Sequence, residues 1–309
     1  MNHLLSWELA LVRDAQTLAG PALTALMRGL SLLGTEYGYL VLLPLIYWCV
    51  DKSRGLRIGI LVFLSSVVNL RLKLIFAQPR PYDLDPSLGM VKESGYGLPS
   101  GHAQTTTVFW GSVQVLFRPP WSLVLAIVLP FLVGLSRIYL GVHFPTDVIA
   151  GWAIGATMLV FDRLLGDRID RFFAGLRDTL ALGFVAAVAL GMNLLYIQDT
   201  SSSGALFGFA GAAIYSKRGT SFSVAGSFRK RALRYLFGMA TLAIVYALPK
   251  LLLASLEVGG PPLVRFLRYA FVGAWVAAGA PWLFLRMGLA DIEVDVYSAK
   301  EKEGSVISK

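Results

Sequence analysis

The chain has 309 residues, of which 56% are apolar and 15% charged, and its mean hydropathy is +0.63. Soluble chains run at about 45–50% apolar and about 25% charged, so the composition excludes a water-soluble enzyme and a disordered regulator. The formal charge of +9 lies between apolar runs rather than on one amphipathic face, which points to basic loops beside a membrane and not to a nucleic-acid partner.

In chain order, residues 3–32 form two amphipathic stretches separated by Gly20-Pro21. Glu8, Arg13 and Asp14 favour an interfacial position for them and argue against a cleavable signal peptide. Apolar runs follow at 36–50, 54–76, 102–117, 121–141, 143–163, 179–197, 202–216, 230–254 and 262–286. The expected fold is therefore all-α, a polytopic membrane helix bundle of about nine spans with an N-terminal interfacial helical segment. The runs at 36–50 and 202–216 are short for a span. The expected division is an N-terminal segment at 1–35, a core at 36–163, additional transmembrane helices at 164–289 and a polar cytoplasmic tail at 290–309. Cys49 is the lone cysteine, which excludes an intramolecular disulfide and a cysteine metal cluster. His3, His102 and His143 are the only histidines and leave little material for a histidine metal site.

Loop charge sets the orientation. The links at 51–57, 118–120, 163–177 and 217–234 are rich in Lys and Arg, from Lys52, Arg54 and Arg57 through Lys217 and Arg218 to Arg234. The alternating links at 198–203 and 255–261 carry none, so the basic set and the C-terminus read as cytoplasmic. Arg71, Lys73, Arg80, Lys92 and Arg137 then fall on or near the extracytosolic face, against the rule. Charges in or beside spans are costly and are functional candidates; snorkelling to headgroups accounts for Lys92 alone.

Three clusters share that face. Lys73 precedes Arg80-Pro81 by about two helical turns, so both cations can lie on one side of a helix end. Pro79 and Pro81 stop the helix there. Pro99-Ser100-Gly101-His102 opens the next helical run, with Ser100 as N-cap, free amides suited to an anion, and Gly101 permitting close approach of a ligand. Ser136-Arg137 is followed by His143 and Asp147, with Pro145 in the first turn of a helix. Asp147 can accept the Nδ1 proton of His143 and leave Nε2 free as a nucleophile or base. Together the residues supply what metal-free cleavage of a phosphate ester needs. Cations and amides neutralise the phosphoryl oxygens, one histidine attacks in line, and the other protonates the leaving oxygen.

These residues resemble the tripartite signature of the type-2 phosphatidic acid phosphatases, also called the lipid phosphate phosphatase superfamily. That signature is Lys-x6-Arg-Pro, Pro-Ser-Gly-His and Ser-Arg-x5-His-x3-Asp, and the chain matches it without departure at Lys73…Arg80-Pro81, Pro99–His102 and Ser136-Arg137…His143…Asp147. The resemblance implies a phosphohistidine on His143 oriented by Asp147, His102 as acid, and Lys73, Arg80, Ser100, Gly101 and Arg137 on the phosphate. It implies no metal and no other cofactor, and a membrane lipid phosphate as substrate.

The expected function is an integral membrane lipid phosphatase working at the extracytosolic surface of the cell membrane. Undecaprenyl diphosphate, phosphatidylglycerol phosphate, phosphatidic acid and a sphingoid phosphate remain open as substrates. A phosphotransferase using the same residues, and a transporter or scaffold with a vestigial site, are the competing readings. Secondary candidates are Arg71, two residues from Lys73, and Arg265 and Arg268, which with Lys250 lie towards the extracytosolic end. These last three fit a second headgroup contact, pairing with Glu257, or snorkelling. The loop at 82–98, with Asp83, Lys92 and Glu93, fits either a gate or a plain solvated link.

Overall fold

The structure is a computed structural model describing residues 3–216, 221–252 and 261–293. Lys217, Arg218, Glu257 and the tail from 294 lie outside the described residues, as does the side chain of Lys250. The helices run α1 (His3–Thr17), α2 (Pro21–Leu32), α3 (Glu36–Cys49), α4 (Lys52–Phe76), a short α5 (Pro81–Leu84) and α6 (Gly101–Phe117). They continue with α7 (Pro120–Tyr139), α8 (Pro145–Gly175), α9 (Asp178–Leu195), α10 (Ser201–Ser216) and α11 (Phe228–Leu252). The last run is α12 (Pro262–Ala274), which passes through a π-helical turn into α13 (Ala280–Arg286). Among the described residues the only β pairing is an isolated bridge between Phe222 and Ile292.

Among the described residues all nine apolar runs are helical, but six helices are long and apolar enough to cross a membrane, or seven if α2 and α3, bent by 54° at their junction, form one broken span. The count of about nine spans is thus not reached by length. α3, α6 and α10 have 14, 17 and 16 residues, short of the roughly 20 that a span needs. Two of these short helices lie inside the bundle. α6 packs against α4, α7 and α8, and α10 against α12, α9 and α4. A helix wrapped by others is apolar on all sides because every side faces protein, so its length is not set by the bilayer.

Small residues set how closely these helices approach. A Cβ added at Gly151 of α8 would lie 2.6 Å from Ser100 O, and one at Gly155 would lie 2.8 Å from Gln104 O. Two glycines four apart therefore let α8 lie directly on the start of α6, as small-residue faces do in membrane bundles. At the opposite end of α4, Arg57 donates to Asp162 Oδ1 at 2.8 Å, to Asp167 Oδ1 at 2.8 Å and to Asp170 Oδ2 at 3.0 Å on α8. Arg234 is fully buried and donates to the carbonyls of Trp48, Val224, Ala225 and Leu289, tying α11 and the end of α13 to the core. Two of the basic link residues are therefore structural ties within the bundle.

The N-terminal helices pack on the site end of the bundle. Glu8, fully buried, accepts from Thr146 N at 2.7 Å and from Thr146 Oγ1 at 3.0 Å, which steadies the first turn of α8. Gln16 donates to the carbonyls of Leu88 and Tyr139, both at 2.8 Å, and Arg13 pairs with Asp85 at 2.7 Å. Their outer faces stay exposed at Trp7, Leu18 and Leu26, in keeping with an amphipathic segment.

Candidate active site

The three motif clusters converge at one end of α4, α6, α7 and α8, and local chain chemistry explains each. α4 ends because Ala77 turns left-handed at φ 45° and Pro79 cannot continue the helix. Arg80 follows as the N-cap of α5, its backbone N donating to Asp83 Oδ2 at 2.8 Å. α6 starts at Ser100, whose Oγ accepts from Ala103 N at 3.5 Å, and Ser100 N donates to Asp147 O at 2.9 Å. That bond joins the starts of α6 and α8. The turn between α7 and α8 needs Gly141, at φ +73°, where a Cβ would also lie 1.9 Å from Leu88 O.

His143 sits on that turn, 1% exposed. Its Nδ1 is 3.1 Å from Asp147 Oδ2, and its Nε2 is 3.4 Å from the Nη1 of Arg80. Asp147 also accepts from Phe144 N at 2.9 Å and from Gln78 Nε2 at 2.9 Å, so three donors hold the carboxylate in place. Burial first, then the charges of Lys73, Arg80 and Arg137, hold the His143 imidazole well below its usual pKa. The ring is neutral at physiological pH, with the tautomer protonated on Nδ1 favoured by Asp147.

Arg80 and Arg137 are both 2% exposed. Arg80 donates to the carbonyls of Gly95 at 2.8 Å, Ser94 at 3.1 Å and Val142 at 3.0 Å. Lys73 donates to Tyr96 O and, at 3.0 Å, to Gly97 O. Arg137 donates to Ser31 Oγ on α2, and its Nε has no hydrogen-bond partner among the described residues. His102 Nε2 is likewise shielded from solvent without a described partner. Asn69 donates to Pro99 O at 3.2 Å and to Gln104 Oε1 at 2.9 Å, and its Oδ1 would lie 3.0 Å from a Cβ on Gly101.

Glu93 completes the cluster. Its carboxylate bridges the two arginines, 3.3 Å from Arg80 Nη1 on one oxygen and paired with Arg137 Nη2 on the other. The loop that carries it is fastened by the Tyr82 hydroxyl, which donates to Glu93 O at 2.5 Å. Burial opposes the Glu93 charge, and Arg137, His102 and Arg80 outweigh it and hold the carboxyl below the usual range.

All eight of the principal candidates, Lys73, Arg80, Ser100, Gly101, His102, Arg137, His143 and Asp147, thus belong to this one cluster. The secondary candidates lie differently. Arg71 is exposed where Lys73 is half-buried. Arg265 donates to Gln198 O at 2.6 Å and lies 3.7 Å from Asp199, and the guanidinium of Arg268 stands over the Tyr269 ring at 4.9 Å. Their described contacts are with the added helices rather than the motifs. Sequence reasoning missed Gln78, Asn69 and Ser31. Polar residues inside or beside apolar runs were the available signal, and a signature written in histidines and cations does not weigh them.

Comparison with known proteins gives the family. Residues 54–166 match the model of the PAP2 superfamily, and residues 200–292 match that of the PAP2 superfamily phosphatase, transmembrane extension. The second match covers helices in which the sequence offered no motif. An undecaprenyl-diphosphatase from Sulfolobus acidocaldarius is 38% identical over 43% of this chain and 66% of its own length, so the chain spans about two thirds of that relative. A decaprenylphosphoryl-5-phosphoribose phosphatase from Mycobacterium tuberculosis is 32% identical over 48% of this chain and 84% of its own. A crystal structure of a transmembrane PAP2 type phosphatidylglycerolphosphate phosphatase from Bacillus subtilis is 26% identical, with a TM-score of 0.47, covering 56% of this chain and 90% of that one. With its three motifs converging on one buried site and both family models matched in order, the chain belongs to the PAP2 superfamily.

Proposed function

We propose that the protein is a metal-independent lipid phosphate or diphosphate phosphatase that works at the extracytosolic membrane surface through a phosphohistidine. The observation that carries this reading is the orientation of His143, with Nδ1 on Asp147 and Nε2 turned to Arg80. The Nε2 lone pair attacks phosphorus, and the bond from phosphorus to the lipid oxygen breaks. His102, which takes up a proton when the phosphate dianion enters beside it, gives that proton to the oxygen and so releases a lipid alcohol or lipid monophosphate. Water then attacks the phosphohistidine, giving its proton back to His102, and inorganic phosphate leaves. Lys73, Arg80 and Arg137, with the amides at Ser100–His102, neutralise the phosphoryl oxygens as charge shifts, a role that a metal ion fills in other phosphatases.

Glu93 shares both arginines with the incoming phosphate. The substrate must displace one carboxylate charge, which a dianionic monoester or a diphosphate does more readily than a singly charged diester. Substrates of the relatives, undecaprenyl diphosphate, phosphatidylglycerol phosphate and a polyprenyl phosphoribose phosphate, fit that requirement. The basic links support the extracytosolic side, since they lie at the Arg57 end of α4 while the motifs lie at the Lys73 end.

The test is phosphate release by detergent-purified protein in excess chelator across these lipids, phosphatidic acid and a sphingoid phosphate, with His143→Ala alongside. Release that survives chelation and disappears in the variant is expected. Release abolished by the chelator, or retained by the variant, would overturn the mechanism. For the side of the membrane, Lys92 is exposed on the site loop. A Lys92→Cys protein should react with a membrane-impermeant maleimide in intact cells, and labelling only after lysis would reverse the orientation.

A further inference from the structure

A cleft of about 200 Å³ lies between α3, α4 and α6 of the core and α10 and α12 of the extension. We propose that it receives the hydrocarbon chain of the lipid phosphate whose headgroup sits at His143, so that the extension builds the chain-binding wall of the enzyme. This rests on the phosphatase reading above and assigns the lipid part of the same substrate.

Position is the first argument. Gly34 and Gly101 line the inner end of the cleft. A Cβ on Gly34 would lie 2.9 Å from His102 Cδ2, so that wall backs onto the imidazole, and Gly101 is its chain neighbour. His102 Nε2 is shielded and has no described partner, which leaves it available to the leaving oxygen. The group attached to that oxygen departs on the His102 side, where Gly34 and Gly101 open onto the cleft.

Chemistry is the second. The floor is formed by Leu43, Val62, Phe209, Val272 and Val276, all buried. Its volume far exceeds the ~15 Å³ that admits a single water, yet the floor offers few of the polar partners that ordered water needs. Ser66, Thr105, Ser201 and Ser202 add polar atoms on the walls. Glu36, on the exposed edge, accepts from Tyr246 and Tyr269, both at 2.8 Å, which pins α3 to α11 and α12. An apolar floor with an exposed polar edge at Glu36, in a cleft that reaches His102, matches the two ends of a lipid phosphate.

Side-chain size explains why the cleft exists. α10 and α12 are locked together, because a Cβ at Gly204 would lie 2.3 Å from Phe266 O and one at Gly208 would lie 1.8 Å from Ala270 O. That pair meets α4 through Phe209, which fills the space over Gly59. Above this contact the facing residues are Ser66, Ser201, Ser202 and Ala205, too small to close the gap. The cleft is a consequence of side-chain size along three helices.

The experiment uses the full chain in lipid nanodiscs with hexadecyl phosphate carrying a diazirine midway along its chain. Photolysis and peptide mapping report where the chain lies, and phosphate release is measured on hexadecyl and butyl phosphate. Ser66→Phe and Ser202→Phe fill the cleft from opposite walls, so a folding defect in one leaves the other informative. Label on α4, α10 and α12 is expected. In both variants the ratio of kcat/KM for hexadecyl over butyl phosphate should fall at least about tenfold, the equivalent of losing roughly two buried methylenes. Phosphate release with label confined to lipid-facing residues of α7 such as Ile127 and Phe131, and an unchanged ratio, would overturn the cleft and leave the phosphatase reading standing. Label in the cleft without phosphate release would uphold the chain site and sink the phosphatase reading instead.

Discussion

The carboxylate of Glu93 offers the most informative single substitution. Glu93→Gln keeps the side-chain volume and removes the charge that Arg80 and Arg137 share. A hydrogen bond to a charged group is worth about 1.5–3 kcal/mol net. Glu93 is 28% exposed while both arginines are 2% exposed. Solvent therefore screens part of the interaction, and the low end of that range, about 1.5 kcal/mol for the pair of contacts, is the appropriate figure. Phosphate no longer has to displace that charge, so its apparent affinity should rise about tenfold. The assay is the inhibition constant of inorganic phosphate or vanadate, with KM and kcat for a water-soluble aryl phosphate beside it. The inhibition constant and KM should both fall about tenfold, with kcat changed by less than about threefold. An unchanged inhibition constant would show that the two arginines do not hold the phosphoryl group, and would refute the argument at its base. The same ion pairs make loop stability depend on pH. The folded Glu93 pKa is depressed below the ordinary glutamate value of 4.5, so its contribution is complete above that value and is lost as pH falls through the folded pKa.

Three further outcomes are expected. His102→Ala should lose most activity on alkyl phosphates and much less on aryl phosphates with good leaving groups; equal losses on both would remove His102 from the role of acid. The folded pKa of His143 lies well below 6.5, so the acid limb of kcat/KM that reports the free enzyme should lie below that value, and a limb at or above it would contradict the buried neutral imidazole. By linkage, the unfolded chain takes up a proton at this position below about pH 6.5 and the native chain does not, so His143 makes the native state less stable as pH falls through that range. Gly151→Val should depress both Tm and kcat, because even its Cβ would lie 2.6 Å from Ser100 O and would push α8, with Asp147, off the start of α6. A variant with normal Tm and kcat would show that this contact does not set the site.

Much of the site was legible because its parts are local. Ser100 caps α6, Pro145 sits in the first turn of α8, and Asp147 stands one turn beyond His143; capping and helical spacing act over four residues or fewer. The apolar runs likewise announced every long helix. Span number was less legible, since α6 and α10 are as apolar as lipid-facing helices yet are wrapped by protein, and hydropathy does not distinguish a lipid neighbour from a leucine. The N-terminal charges show the same limit. Glu8 and Arg13 marked that segment as unsuited to a span, but their partners, Thr146 and Asp85, lie far along the chain.

From its sequence alone this chain is a membrane helix bundle carrying three phosphate-handling motifs, because residue type, helical period and loop charge are properties of short segments. Only the tertiary structure decides that Glu93 lies between Arg80 and Arg137, that Ser31 of α2 reaches Arg137, and that α3, α4, α6, α10 and α12 meet so as to leave a cleft lined by Gly34 and Gly101 next to His102. Those features depend on which distant surfaces meet and on how their side-chain volumes fill the space between them. Neither quantity has a period or a signature along the chain.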